Sequence, residues 1–203
     1  SFKNESFITL EPFFNSKSKF DIEEIDVEFF NQFKIDELLK SKNILKKINT
    51  KNEISFSSRK FNRSFFDKLN LKFDLAYGRL NYSKKLLISD DVVKCNGNVN
   101  LLEEFPLLSF DCSINSENKR DLLKKFNIDV KNDNKIFNLN AKGNLSILNQ
   151  KINFKDISLN ENYKAPNEDL NYFKKSFEKI LFNDDFVGIF NLNKIKEYIL
   201  EII

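Results

Sequence analysis

The sequence predicts an α+β protein that is mainly β: a long antiparallel, twisted sheet or groove of stacked hairpins with flanking amphipathic helices. Three observations predict this fold. In several segments, apolar residues recur at every second position, as in strands with one apolar face. One pair of these segments can fold back in a register that separates apolar from polar side chains. Other segments switch to helical spacing, which supplies amphipathic helices beside the sheet.

The first part of the chain, residues 1–51, is predicted to hold a strand and an amphipathic helix that lead into the sheet. Residues 20–30 alternate apolar and polar side chains, but the phase slips once at Glu23 and Glu24. We therefore predict a strand with a bulge at that point. In residues 31–48 the apolar side chains fall on one helical face and lysines lie elsewhere, which predicts a helix.

The central part, residues 52–163, is predicted to be the antiparallel sheet or groove itself. Residues 69–77 alternate strictly between apolar and polar or small side chains, which predicts a strand. We expect this strand to continue past Gly78 to residue 82. The pair Lys84 and Lys85 is then predicted to form a turn, after which the chain returns.

Residues 93–114 give the best specified hairpin. If the chain folds back at Glu103 and Glu104, one face consists of apolar and small residues, and the other face is polar. The opposed pairs on the apolar face are Val93 with Ile114, Cys95 with Cys112, Gly97 with Phe110, and Val99 with Leu108. A slip of one residue would bury all the polar groups, so the register is well determined. The ring of Phe110 is expected to cover the gap at Gly97.

The second half of this central part repeats the pattern after a short helix predicted at residues 118–128. Residues 135–147 form a predicted strand, Asn149 and Gln150 a turn, and residues 151–159 a returning strand with one slip of phase. Residues 95–102 also resemble residues 141–148, with glycine at the same point. Stacked hairpins that extend one sheet would explain this likeness. Chance similarity of two amphipathic strands in a biased composition is the alternative.

The last part, residues 164–203, is predicted to be a C-terminal helical cap. Pro166 followed by Glu168 and Asp169 is typical of a helix start. Helical spacing of apolar residues predicts one helix from there and a second helix over residues 192–202.

The composition argues against an enzyme. The chain has no His, so it cannot form a Ser-His-Asp or Cys-His arrangement. Two Cys without His do not make an ordinary zinc site, and four Gly are too few for a phosphate-binding loop. Acidic pairs occur at positions 23–24, 90–91, 103–104 and 184–185, where we expect solvated charge rather than acid-base or calcium chemistry. We therefore predict no catalytic residues, no metal and no cofactor.

Cys95 and Cys112 allow two interpretations. In an oxidising compartment two directly opposed residues of a hairpin could form a disulfide. We favour two small buried apolar residues instead. Residues 40–47 are rich in lysine and could contact anionic lipid heads, although we favour a solvated helix face.

Charge and hydropathy bear on whether the chain binds nucleic acid and whether it spans a membrane. There are 33 basic and 30 acidic residues, so no broad positive field favours nucleic acid. No apolar stretch is long enough to span a bilayer. The chain begins with Ser1 and contains no Met, so we expect a mature form or an excised piece. An anchor or export signal would then lie outside this sequence.

Residues 105–128 resemble the AsmA-like proteins of Gram-negative envelopes. In that family a strand ends in a short helix with an acidic-x-leucine-leucine pattern, and here Asp121 and its two following leucines lead to Phe126 and Ile128. Residues 78–88 and 143–159 are similar to the family's units of glycine, strand, turn and strand. The resemblance covers roughly residues 52–160. The glycine content is lower than is usual in the family, and the C-terminal helices carry no family signature.

The resemblance implies a long β-groove in the periplasm, anchored to the inner membrane through a segment outside this chain. Such a groove would bind phospholipid acyl chains or transfer them between inner and outer membranes, and its contacts would include the membrane surface and envelope proteins. The candidate lining residues are Leu69, Leu71, Phe73, Leu75, Val93, Val99, Leu108, Phe110, Ile114, Phe137, Leu139, Leu145, Ile147, Ile152 and Phe154. The alternative is a structural or assembly module whose sheet is fully covered by its own helices.

Overall fold

A computed structural model describes residues 2–11, 13–23, 39–57, 67–88, 90–130, 135–182 and 192–202. Within these residues, ten strands form one open mixed sheet in which the spatial order equals the order along the chain. The strands are β1 Phe2–Thr9, β2 Phe14–Ile22, β3 Ile48–Ser57, β4 Lys68–Ala76, β5 Arg79–Ile88, β6 Asp91–Asn100, β7 Leu107–Ser116, β8 Phe137–Ser146, β9 Lys151–Leu159 and β10 Tyr163–Lys164. The helices are α1 Lys42–Leu45, α2 Lys119–Lys125, α3 Asn167–Leu181 and α4 Leu192–Ile202. The prediction of a mainly β protein is confirmed.

The sheet is mixed because β2 and β3 pair in parallel, from Phe14 opposite Ile48 to Ile22 opposite Phe56. The prediction of a wholly antiparallel sheet is wrong at this pair. Parallel neighbours require a crossover connection of a dozen or more residues, and the segment between β2 and β3 has that length. An alternating pattern predicts strands but does not distinguish the two directions of pairing.

The predictions for the N-terminal part are confirmed only at their ends. The strand predicted at residues 20–30 begins as the last residues of β2, and residues 24–30 lie outside the described part. Of the helix predicted at 31–48, residues 31–38 also lie outside it. Leu39 is the first described residue with helical structure, and Ile48 belongs to β3 rather than to the helix.

The turn between β4 and β5 lies at Tyr77 and Gly78. The strand predicted to continue past Gly78 to residue 82 therefore ends at Ala76, and the turn predicted at Lys84 and Lys85 is wrong. Tyr77 has φ of 50° and Gly78 has φ of 84°. Positive φ at both central residues is characteristic of the two-residue hairpin turn that matches strand twist. Consequently β5 runs unbroken through both lysines, which project from opposite faces of the sheet.

The predicted register of the β6–β7 hairpin is confirmed from Val92 opposite Asn115 to Asn96 opposite Asp111. Toward the turn, the hydroxyl of Ser109 replaces main-chain pairing. It accepts a hydrogen bond from Asn98 N at 3.0 Å and donates one to Asn98 O at 3.1 Å. The ladder therefore ends before the predicted pairs at Gly97 and Val99.

Glycines at equivalent positions of β6 and β8 each lie under an aromatic ring of the preceding strand. A Cβ atom on Gly97 would lie 2.5 Å from a ring carbon of Tyr82, its register partner on β5. A Cβ atom on Gly143 would lie 2.6 Å from Cζ of Phe110, its partner on β7. The prediction that Phe110 covers Gly97 is thus wrong. Tyr82 covers Gly97, and Phe110 covers Gly143 instead. The likeness of residues 95–102 and 141–148 has a structural counterpart in these two glycine–aromatic pairs.

The described residues contain the short helix predicted at 118–128, the strands predicted at 135–147 and 151–159, and the two predicted C-terminal helices. The side chain of Asn118 caps α2 by accepting a hydrogen bond from Arg120 N at 3.1 Å. A bulge between β8 and β9 leaves Lys155 unpaired, which explains the slip of phase there. The C-terminal helices α3 and α4 pack on each other, and α3 also packs beside β9. No described helix is long and apolar enough to cross a membrane.

Candidate functional site

One side of the sheet, from β4 to β9, collects almost all the predicted lining residues. We call this side the apolar face. It consists of Leu69, Leu71, Phe73 and Leu75 on β4, Leu80, Tyr82, Lys84 and Leu86 on β5, Val93, Cys95, Gly97 and Val99 on β6, Leu108, Phe110, Cys112 and Ile114 on β7, Phe137, Leu139, Ala141, Gly143 and Leu145 on β8, and Ile152, Phe154, Ile157 and Leu159 on β9. Ile147 follows the end of β8. The strand register therefore brings residues distant in sequence onto one surface.

One end of the apolar face is covered by the helical residues before β3. Leu39 and Leu45 form a buried cluster with Val99 and Leu101. The predicted lining residues Leu75, Leu108 and Ile147 pack against this cluster. These positions therefore belong to a packed core in which helical residues contact the sheet.

A second cluster forms where α3 meets the β9 side of the sheet. Leu145 and Ile152 are buried there against Phe182, which follows α3. Phe110, Phe154 and Phe177 pack around them, and the ring of Phe154 lies edge-on to both other rings with centroids 5.9 Å apart. Several predicted lining residues thus pack against α3.

Most residues in the middle of the apolar face and at its opposite end are only half-buried, although Ile157 on β9 is buried. The predicted lining residues in this region are Leu69, Leu71, Phe73, Val93, Ile114, Phe137 and Leu139. They lie outside both buried clusters. This region is the part of the predicted lining that retains contact with solvent.

Cys95 and Cys112 form a disulfide between β6 and β7, with their Cα atoms 4.1 Å apart. The favoured interpretation, two unbridged cysteines, is therefore wrong. Both side chains are half-buried on the apolar face. A directly opposed pair without mutual main-chain hydrogen bonds brings side chains close together, so the register itself creates this geometry. The sequence had placed the two residues opposite each other but did not decide their bonding.

Lys84 is a charged residue in the middle of the apolar face that the sequence analysis missed. Its register partners are Leu71 and Cys95, and its side chain is half-buried. Burial lowers the pKa of its amine from the ordinary value of 10.5. The alternation of Leu80, Tyr82 and Leu86 around it was the available signal, since it extends a strand through the lysine.

The acidic pair at positions 90–91 also differs from the prediction. Asp91 is only 6% exposed, whereas solvated charge was expected. Burial raises the pKa of its carboxyl group, and a hydrogen bond with Ser116 opposes that shift. Glu103 and Glu104 are exposed as predicted. Glu24 and residues 184–185 lie outside the described part of the chain.

The described residues contain no group of three or more His, Cys, Asp or Glu side chains suited to a metal. The face opposite the apolar face carries exposed charged pairs instead, such as Lys142 Nζ and Asp111 Oδ2 at 2.8 Å. This contact raises the pKa of Lys142. Exposed pairs of this kind contribute little to stability and keep that face hydrated.

The lysine-rich segment 40–47 is hydrogen-bonded to the turn between β6 and β7. Lys42 Nζ donates hydrogen bonds to the carbonyl oxygens of Glu103 at 2.8 Å and Leu102 at 3.3 Å. Lys46 and Lys47 are exposed. Contact of this segment with anionic lipid heads was the alternative to the favoured solvated helix face, and it stays a hypothesis.

No family model matches the chain, and neither does any curated protein or solved structure. The AsmA-like resemblance therefore rests on the residues quoted above and stays a prediction.

Proposed function

We propose that this chain is a non-enzymatic segment of an envelope protein similar to the AsmA-like proteins, and that its apolar face forms a twisted groove for phospholipid acyl chains. The observation that carries the proposal is the continuity of the apolar face over six neighbouring strands, with a half-buried middle region. Acyl chains would leave water along this surface, with a gain of about 0.8 kcal/mol for each buried methylene. The process is passive and requires no covalent chemistry.

The dimensions of the apolar face suit an acyl chain. Neighbouring strands lie about 4.8 Å apart, so β4 to β9 extend over roughly 24 Å. One leaflet of a bilayer is about 15 Å thick in its hydrocarbon part. A lipid chain can therefore lie across the strands on this face, and the twist of a large sheet favours a curved surface around it.

The proposed location is the periplasm, with the chain held to the inner membrane by another part of a longer protein. The disulfide between Cys95 and Cys112 supports an oxidising compartment, because such bonds are rare in reducing cytosol. In this setting the groove would carry phospholipid between inner and outer membranes.

A structural or assembly module is the second candidate, and the two buried clusters favour it. Val99 packs against Leu39 and Leu45, and Leu145 packs against Phe182. In this alternative, contacts of the same kind cover the whole apolar face, and the sheet serves to hold other proteins.

Native mass spectrometry of the protein expressed in a bacterial host separates the two candidates. The test variant is Leu71→Gln with Ile114→Gln, on the half-buried part of the apolar face. The matched control is Lys72→Gln with Asn115→Gln, at adjacent exposed positions on the other face. We expect phospholipid on the wild type and the control but not on the test variant, with unchanged circular dichroism. A stable wild type that carries no lipid and excludes apolar dyes would overturn the groove and favour the module.

A further inference from the structure

Two hydrogen-bond donors stand on the apolar face without a hydrogen-bond or ion-pair partner among the described residues. They are the amine of Lys84 and the hydroxyl of Tyr82, two residues apart on the same face of β5. Their Cα atoms are therefore about 7 Å apart. A ligand that brings hydrogen-bond acceptors onto this apolar surface would satisfy both donors.

Next to Lys84, a row of small side chains runs across the sheet. Its register neighbours are Cys95, then Cys112, then Ala141. We call this row the floor of a shallow depression, because its members after Lys84 are smaller than the residues of the next row on one side. Those residues are Leu86, Val93, Ile114 and Leu139.

The other side of the depression is formed by aromatic rings. Tyr82 covers Gly97 and Phe110 covers Gly143, so the glycines of that row leave no second depression. From Lys84 on β5 to Ala141 on β8 this row crosses three strand spacings, or about 14 Å. On β9 the row ends at the buried side chain of Ile157. The floor thus has room for the first part of an extended acyl chain that starts at the lysine.

The charge of Lys84 is uncompensated in this position. Its pKa is lowered by burial, and no described carboxylate opposes that shift. A partly desolvated ammonium without a counter-ion is costly, and a phosphate oxygen would form a strong charge-assisted hydrogen bond with it.

We infer that Lys84 binds the phosphate of a phospholipid with net negative charge, whose acyl chain lies along Cys95, Cys112 and Ala141. This inference rests on the proposed function and adds head-group selectivity to it. A zwitterionic lipid would also bring a cationic group, and near Lys84 the described residues offer no carboxylate to receive that group. The site therefore favours the anionic lipid.

The test compares dihexanoyl phosphatidylglycerol with dihexanoyl phosphatidylcholine, which have the same chains, by isothermal titration calorimetry. We expect the wild type to bind the glycerol lipid about tenfold more tightly, the effect of one charged hydrogen bond. Lys84→Met should lose this preference but still bind both lipids. Lys84→Arg should keep it, and so should the matched control Lys85→Met, which removes a neighbouring charge from the opposite face.

Each other outcome has a distinct meaning. If the wild type binds neither lipid, the proposed function fails together with the inference. If it binds both equally, only the inference is overturned. Equal loss of preference in the Lys85 variant would overturn it in favour of general attraction by the protein charge. Hexanoate that competes as well as the glycerol lipid would overturn the assignment of phosphate. Thermal unfolding of each variant establishes that it is folded.

Discussion

The disulfide between Cys95 and Cys112 allows a quantitative prediction for stability. The perturbation is the double substitution Cys95→Ala with Cys112→Ala. The two cysteines are 17 residues apart in sequence, and a cross-link that closes a loop of this size removes unfolded-state entropy worth about 3 kcal/mol. For a protein of 203 residues, this loss corresponds to a fall in the unfolding temperature of roughly 6–12 °C.

The assay is thermal and urea unfolding of the wild type and the double variant, each with and without dithiothreitol. Reductant should lower the wild-type stability to about that of the variant, and it should leave the variant unchanged. Thiol titration of the unfolded, unreduced wild type should find no free thiol. Two free thiols, or a wild type whose stability does not respond to reductant, would refute the reasoning from register to cross-link.

Three further predictions concern single residues. Gly97→Ala should lower the free energy of unfolding by roughly 1–3 kcal/mol, because a Cβ atom would overlap the carbonyl oxygen of Ser109 and the Tyr82 ring. An unchanged urea midpoint would contradict this prediction. Lys84→Met should be more stable than the wild type near pH 7. This advantage should shrink as pH rises toward 10.5. The pKa of Lys84 is lowered in the folded state, so the folded protein releases this proton at lower pH than the unfolded chain, and wild-type stability rises with pH in that window. A pH-independent difference in urea midpoint would show that charge is not the cause. Asp91→Asn should also be stabilising near pH 7. The pKa of Asp91 is raised in the folded state, so ionisation of this carboxyl group costs stability as pH rises. The gain from Asp91→Asn should therefore vanish below about pH 4, where the carboxyl group is protonated in both states. Unfolding temperatures at both pH values measure it, and a gain that persists in acid would contradict it.

The predicted lining shows how far a sequence pattern can identify a site. The pattern placed Val93, Ile114 and Leu139 on one face, and the strand register confirms it. It did not separate these half-buried positions from Val99 and Leu145, which are buried. That distinction depends on which helix packs over which strand, and alternation along a strand carries no information about the partner above it.

The sequence by itself determined most strands, their apolar side and the β6–β7 register. These features are local, because a shift of one residue reverses every side chain and exposes the apolar set to water. Only the tertiary structure decided the parallel pairing of β2 with β3, the ring over Gly97, the disulfide and the place of Lys84 on the apolar face. Each of these depends on contacts between strands, where the energy of a side chain is set by neighbours that the local pattern does not specify.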